Sequence, residues 1–173
     1  MQKAKKNGAV IISVNPIREA GLLHFSNPQH VKGLLGGDIR LTDHYLQVRL
    51  NGDMALLQAL TKLILEEEDK NPGTVLDHAF IHDKTHGAEA YLEHIRRLDM
   101  DALIAICGIP ETQLKTVARV LCNNQKIIAC WAMGLTQHKN AVNTIKEVVN
   151  LLLLKGSIGK PGAGTCPVRG HSN

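Results

Sequence analysis

Two short stretches carry side chains suited to holding a polar, anionic ligand. Ser13-Val14-Asn15-Pro16-Ile17-Arg18 sets an amide, able to bond a ribose hydroxyl or a base, three residues before a guanidinium whose planar fork matches a phosphate. The same residues fit an Asx-Pro turn with a solvated arginine equally well. Ala132-Met133-Gly134-Leu135-Thr136-Gln137-His138 joins a glycine that permits close backbone approach to the hydroxyl of Thr136 and the amide of Gln137. It equally fits a tight strand-to-helix turn in which His138 starts the helix.

Other candidates are less specific. The glycines of Gly156-Ser157-Ile158-Gly159-Lys160-Pro161-Gly162-Ala163-Gly164 follow a predicted helix instead of opening one, so they do not form a phosphate loop of the Walker type. A helix cap and a surface turn account for them. His78, His82 and His86 lie in a stretch broken by Gly87 and offer no H-E-x-x-H pattern, and no metal site is expected. The four cysteines, Cys107, Cys122, Cys130 and Cys166, include no C-x-x-C pair, so neither an iron–sulfur cluster nor a zinc finger is expected within the chain. Buried thiols in a reducing compartment are the better expectation. Asp53, placed before an apolar periodic run, reads as a helix N-cap.

These loops need a frame. Lysines ahead of Asn7-Gly8 mark the last turn of a helix with a left-handed cap. Ala9–Val14 is short, β-branched and continuously apolar, as a strand buried on both faces of a parallel sheet would be. Little periodicity follows up to about Thr42, including the pair Gly36-Gly37, and this stretch is predicted as loop with room for a helical turn. Tyr45–Leu50 alternates weakly as a short strand, and Met54–Glu68 is helical, with Leu56, Leu57, Leu60, Leu63 and Ile64 on one stripe. Helices are predicted near 76–84, 88–98 and 111–122, then a second buried strand over 126–131 and a long helix from about 140 to 155. The glycine- and proline-rich remainder is predicted as loop. In such α/β sheets, ligands sit beyond the carboxyl ends of the strands, which is where both candidate loops fall.

The composition narrows the function. The chain has 173 residues, 44% of them hydrophobic, which suits one α/β domain. A net charge of +4 spread along the chain, with 3% aromatic residues, argues against a nucleic-acid surface. Neither a signal peptide nor an apolar run long enough to cross a bilayer is present, and a cytoplasmic location is expected. A helix tail at the start and an open loop at the end suggest that both boundaries are cuts. A missing upstream strand would leave an unpaired sheet edge prone to self-association.

The motifs resemble a known family. Cys130-Trp131-Ala132-Met133-Gly134-Leu135-Thr136-Gln137-His138 resembles the W-x-M-G-x-T-Q segment of molybdopterin oxidoreductases. Leu153 to Gly164, followed by Pro167-Val168-Arg169-Gly170, is similar to their L-x-G-N-x-G-K-P-G-x-G…P-x-R-G segment. Asn15-Pro16 and Asn51-Gly52-Asp53-Met54-Ala55-Leu56 fit the same family in the same order, so the resemblance covers essentially the whole chain.

The resemblance implies a Rossmann-like, three-layer αβα domain with a mainly parallel sheet, of the formate dehydrogenase/DMSO reductase type. It implies a piece of the region that binds molybdopterin guanine dinucleotide with molybdenum. Asn15 and Arg18 would lie near the guanosine end, Asp53 at the guanine or a neighbouring loop, and Met133, Gly134, Thr136 and Gln137 along the dinucleotide channel. Arg169 would orient a small anionic substrate, and Gly170 would let the pterin come close. Where formate dehydrogenases usually continue R-G-Q-N-N, this chain has Arg169-Gly170-His171-Ser172-Asn173, which leaves the substrate open. The molybdenum ligand and the partner domains of the parent oxidoreductase lie outside these residues, and the chain alone is expected to be inactive. The alternative is a free-standing nucleotide-binding or interaction module.

Overall fold

Apolar side chains recur around, and not merely along, one helix, and that helix organises most of the protein. A computed structural model describes residues 1–25 and 39–168. The chain divides into two compact units, residues 1–48 and 49–173.

The first unit begins with α1 (Gln2–Lys6), whose end has the expected left-handed cap: Gly8 has φ of 88°, and Ala9 N–H donates back to Ala4 O over 3.0 Å. It continues through β1 (Ile12–Val14), α2 (Ala20–Leu23), β2 (His24–Phe25), β3 (Ile39–Arg40) and β4 (His44–Leu46). Strands β1 and β4 are parallel, with Ser13 opposite Tyr45, and β2 and β3 are antiparallel. The strand expected over 9–14 is therefore shorter, and not buried on both faces: Ser13 is buried, while Val14 is 44% exposed. The predicted loop before Thr42 holds α2, β2 and β3; Gly36 and Gly37 lie outside the described residues.

The second unit centres on α3 (Asp53–Lys70). Ala55, Leu56, Ala59, Leu60, Leu63, Ile64 and Leu65 are all buried, and Thr61 is too, its hydroxyl donating to Leu57 O over 2.9 Å. A single stripe is too narrow for this set, because helices pack on several sides of α3. These are α5 (Ala88–Arg97), α6 (Met100–Cys107), α7 (Glu111–Cys122) and α9 (Ala141–Leu154), which come after α4 (His78–Lys84) or beyond it in the chain. Helix α7 presents Leu114, Val117, Ala118 and Leu121, as its spacing predicts. Each buried leucine contributes about 2 kcal/mol through removal from water.

Helix α6 was not anticipated by periodicity, since Ala-Leu-Ile-Ala-Ile-Cys is apolar on every face. Its ends were nevertheless marked: Asp99 accepts Ala102 N–H over 2.8 Å, and Gly108 follows the last turn with φ of 73°. Helix α4 is likewise capped, Asp77 accepting Phe80 N–H over 3.1 Å.

Beyond α7 come β5 (Ile128–Trp131), α8 (Met133–Thr136), α9 and β6 (Gly164–Pro167). Strands β5 and β6 are parallel, in the register Ile128 to Gly164 through Trp131 to Pro167. The stretch predicted as a terminal loop thus contains a strand. β5 alternates between exposed and half-buried residues, with Ile128 56% exposed, in place of the continuous burial expected. The fold is α/β, with helices and three two-stranded pairs of short strands, two of them parallel, among the described residues.

Candidate functional site

At the carboxyl end of β1 the chain turns through Asn15. The Asn15 Oδ1 accepts Ile17 N–H over 3.0 Å, the Asx turn foreseen as the simpler alternative, while Asn15 N–H continues the ladder to Leu46 O at 3.2 Å. Two side chains from the end of β4 brace the turn: Tyr45 OH donates to Ile17 O, and Gln47 Nε2 donates to Pro16 O over 3.1 Å. The Arg18 guanidinium lies 5.6 Å from the Tyr45 ring centroid, a cation–π arrangement that holds the fork on an aromatic face at an exposed position. Turn and ligand roles are compatible here, because the turn uses Oδ1 and leaves the Nδ2 donors.

At the carboxyl end of β5, the residues foreseen as a loop form the short helix α8. A strand-to-helix reversal this tight is possible because Ala132 is extended, with φ of −135° and ψ of −152°. Gln137 N–H closes on Met133 O at 3.0 Å, Thr136 Oγ1 lies 3.5 Å from the same carbonyl, and Gln137 Nε2 lies 3.8 Å from Met133 Sδ. Gly134, Thr136 and Gln137 are exposed, and Met133 is half-buried. A Cβ added at Gly134 would meet nothing within 4 Å, so no close approach within the chain requires this glycine.

The parallel register brings the end of β6 beside this helix. Val168 N–H donates to Trp131 O over 2.7 Å, so the chain leaves β6 next to the point where it leaves β5. Arg169 and Gly170 come directly after Val168 and lie outside the described residues.

Asp53 is the first residue of α3 and not its N-cap, which corrects the sequence expectation. The cap is Gly52, and no side chain bonds there. The reason is steric: a Cβ on Gly52 would lie 2.9 Å from both Arg49 O and Cys107 Cα. Asn51 before it adopts the left-handed φ of 63°. Burial pushes the Asp53 carboxyl up, while its own backbone N–H and the His138 ring offset part of that. The His138 effect ties the start of α3 to the segment that follows α8.

Sequence reasoning missed a buried polar knot. Glu68, near the end of α3, accepts N–H groups from Gly73, Val75 (2.9 Å) and Leu76 (3.0 Å), and pairs with His78 Nε2 at 2.6 Å. Burial alone would raise its carboxyl, but these donors outweigh it and hold the group at about 2. Lys155, 0% exposed, donates to Val75 O at 2.6 Å and Cys122 O at 3.1 Å, and burial lowers its ammonium. Ser157 Oγ donates to Gln125 O at 3.1 Å. The knot fastens the turn after α3 and the glycine-rich turn after α9, and only the acidic and basic residues near those turns signal it. Among the described residues, no group of three or more metal-ligating side chains occurs, and no helix is long and apolar enough to cross a membrane.

In each unit, taken by itself, polar groups lie at the tip of a parallel strand and are followed by a turn, an arrangement found where α/β proteins bind ligands. No family model matches the chain. It is 51% identical over 171 residues to an uncharacterized oxidoreductase of Mycobacterium tuberculosis, a match covering 99% of this chain and 22% of that protein. It is 28% identical over 170 residues to formate dehydrogenase H of Escherichia coli, covering 98% of this chain and 21% of that protein. Acetylene hydratase from Pelobacter acetylenicus shares the fold, with a TM-score of 0.72 and 20% identity over 93% of this chain and 19% of that one. Over nearly its whole length the chain is homologous to a segment of larger oxidoreductases, and it shares the fold of a segment of acetylene hydratase. It spans about a fifth of the length of the curated relatives it matches.

Proposed function

We propose that the chain is part of the cofactor-binding region of a molybdenum-dependent oxidoreductase of the formate dehydrogenase type, working with the remaining domains of its parent in the cytoplasm. The carrying observation is the parallel pairing of β5 with β6, which sets Met133–Gln137 beside the segment leading to Arg169.

The chemical types of these side chains, taken within each unit by itself, suit molybdopterin guanine dinucleotide. Its diphosphate is anionic, and its guanine and pterin edges offer both donors and acceptors. Arg18 supplies a charged fork, Asn15 a donating amide, Thr136 and Gln137 exposed polar ends, and Gly134 open space above a backbone. Asn15 and Arg18 hold the guanosine end, Asp53 the guanine or a neighbouring loop, Met133, Gly134, Thr136 and Gln137 line the dinucleotide, and Gly170 allows the pterin close. When bound, the group supplies two-electron redox chemistry at molybdenum, and protein groups orient and tune it. Arg169 holds a small anionic substrate through fixed charge and a planar fork. The open edges of the strand pairs offer a route to self-association.

The test is to isolate the complete protein and measure molybdenum and guanine nucleotide. Stoichiometric amounts of both are expected. A protein that carries neither, while folded and homogeneous, removes this function.

A further inference from the structure

Strands β5 and β6 do more than align two turns: they set two cysteines opposite one another. Cys130 and Cys166 are register partners in the parallel pair, and both are exposed and free. Register partners on neighbouring strands project to the same face of a sheet. Neighbouring strands run about 4.8 Å apart, inside the range of about 4.4–6.8 Å between Cα atoms that a disulfide bridges. The two thiols also sense one another: burial pushes the Cys130 thiol up, and Cys166 adds to this through its charge and through a hydrogen bond. The other two cysteines differ. Cys107 is buried at the end of α6, with Sγ 3.7 Å from Ile104 O, and Cys122 is half-buried near Lys155.

We propose that Cys130 and Cys166 form a redox-sensitive dithiol that closes to an intrachain disulfide when a hydroperoxide reaches it. In the first step one thiolate attacks a peroxide oxygen. The O–O bond breaks, a sulfenic acid forms, and the departing oxygen takes up a proton to leave as water or an alcohol. In the second step the other thiolate attacks the sulfenic sulfur, the S–S bond forms, the S–O bond breaks, and hydroxide leaves to be protonated. The two sulfurs together lose two electrons and the peroxide gains two.

This assignment stands on the strand pair alone and needs no bound cofactor. Its consequence falls on the two tips nonetheless, because the link would lie one residue before Trp131 and one before Pro167, tying the starts of both turns together.

The experiment treats the reduced full chain with hydrogen peroxide, blocks remaining thiols, digests it without reductant and maps the peptides by mass. A linked Cys130–Cys166 peptide should dominate, with Cys107 unmodified and no crosslink between chains. Cys130→Ser and Cys166→Ser should each abolish the link and leave a sulfenic acid, trapped by dimedone, on the remaining partner. Independent oxidation of the two residues to sulfinic acids without a link, or links formed only between chains, overturns the proposal. Phenylarsine oxide, which needs two neighbouring thiols, gives a second readout on the unaltered chain. It should protect Cys130 and Cys166 together from iodoacetamide, and continued alkylation of both overturns the proposal as well.

Discussion

The Lys155 ammonium lies 2.6 Å from the carbonyl oxygen of Val75, inside the unit and wholly shielded from water. It joins the turn before α4 to the end of α9 and also reaches Cys122 O, so one side chain satisfies carbonyls from two distant segments. Lys155→Met keeps the apolar stem and removes both donations, which should cost about 1–3 kcal/mol in chemical denaturation. Lys155→Ala leaves a cavity too and should cost more, about 2–5 kcal/mol. Equal, negligible losses would show that the ammonium is not structural.

Glu68 makes stability depend on acid. Its folded carboxyl sits at about 2 against an ordinary 4.5. Its contribution is therefore complete above pH 4.5 and is lost as the pH falls from there through about 2. The full effect is on the order of 3 kcal/mol. Glu68→Gln should flatten the loss of stability across this window in denaturation curves taken at several pH values. An unchanged acid limb would remove Glu68 from that role.

Gly52 admits no side chain. Gly52→Ala would press a Cβ against the Cys107 and Arg49 backbones and should cost about 1–3 kcal/mol, read as a lower Tm. Gly134→Ala is the informative contrast. That position is helical and open, so alanine should leave the Tm unchanged or raised, by up to about 1 kcal/mol of helix propensity. Loss of guanine nucleotide from the complete Gly134→Ala protein, at full stability, would be the mark of a ligand packed on this backbone; full retention would remove Gly134 from the cofactor site.

Asn15 allows its two roles to be separated. Asn15→Asp retains an oxygen for Ile17 N–H, and so the turn, but has no Nδ2 to donate. Unchanged thermal stability with reduced guanine nucleotide in the complete protein is expected. Unreduced content would leave Asn15 with the turn alone.

Arg169→Lys in the complete protein keeps the charge and loses the fork. The kcat/KM for the native substrate should fall by about tenfold or more. Native turnover by this variant would take Arg169 out of the anion-orienting role.

Elements governed by local rules were legible in the sequence. Helix α7 has the ends that its spacing predicted, Glu111 and Cys122, because Pro110 and Asn123 bracket an unbroken apolar stripe. Helix α3 was found but its packing underestimated, since a sequence displays one stripe and cannot display how many neighbours will cover the helix. Strand β6 was missed, because Gly164-Thr165-Cys166-Pro167 has little strand propensity of its own and is extended by a partner over thirty residues upstream. Lys155 gave no sign of burial, because a lysine after a helix reads as a solvated end. The ends of the two predicted strands, Val14 and Trp131, were legible. Asp53 was placed one step early because the sequence does not reveal that Cys107 crowds the residue before it.

The pairing of β5 and β6 is brief, four residues on each side. A slip of one residue would turn Cys166 to the opposite face and displace the end of β6 along β5 by about 3.3 Å. Spacing between Gly156 and Gly164 is thus a measuring length: one amino acid added or deleted there would have to be absorbed in the turn, or Cys166 would arrive out of register with Cys130. That bend must preserve its length as well as its glycines, since Gly156, Gly159, Gly162 and Gly164 all have positive φ.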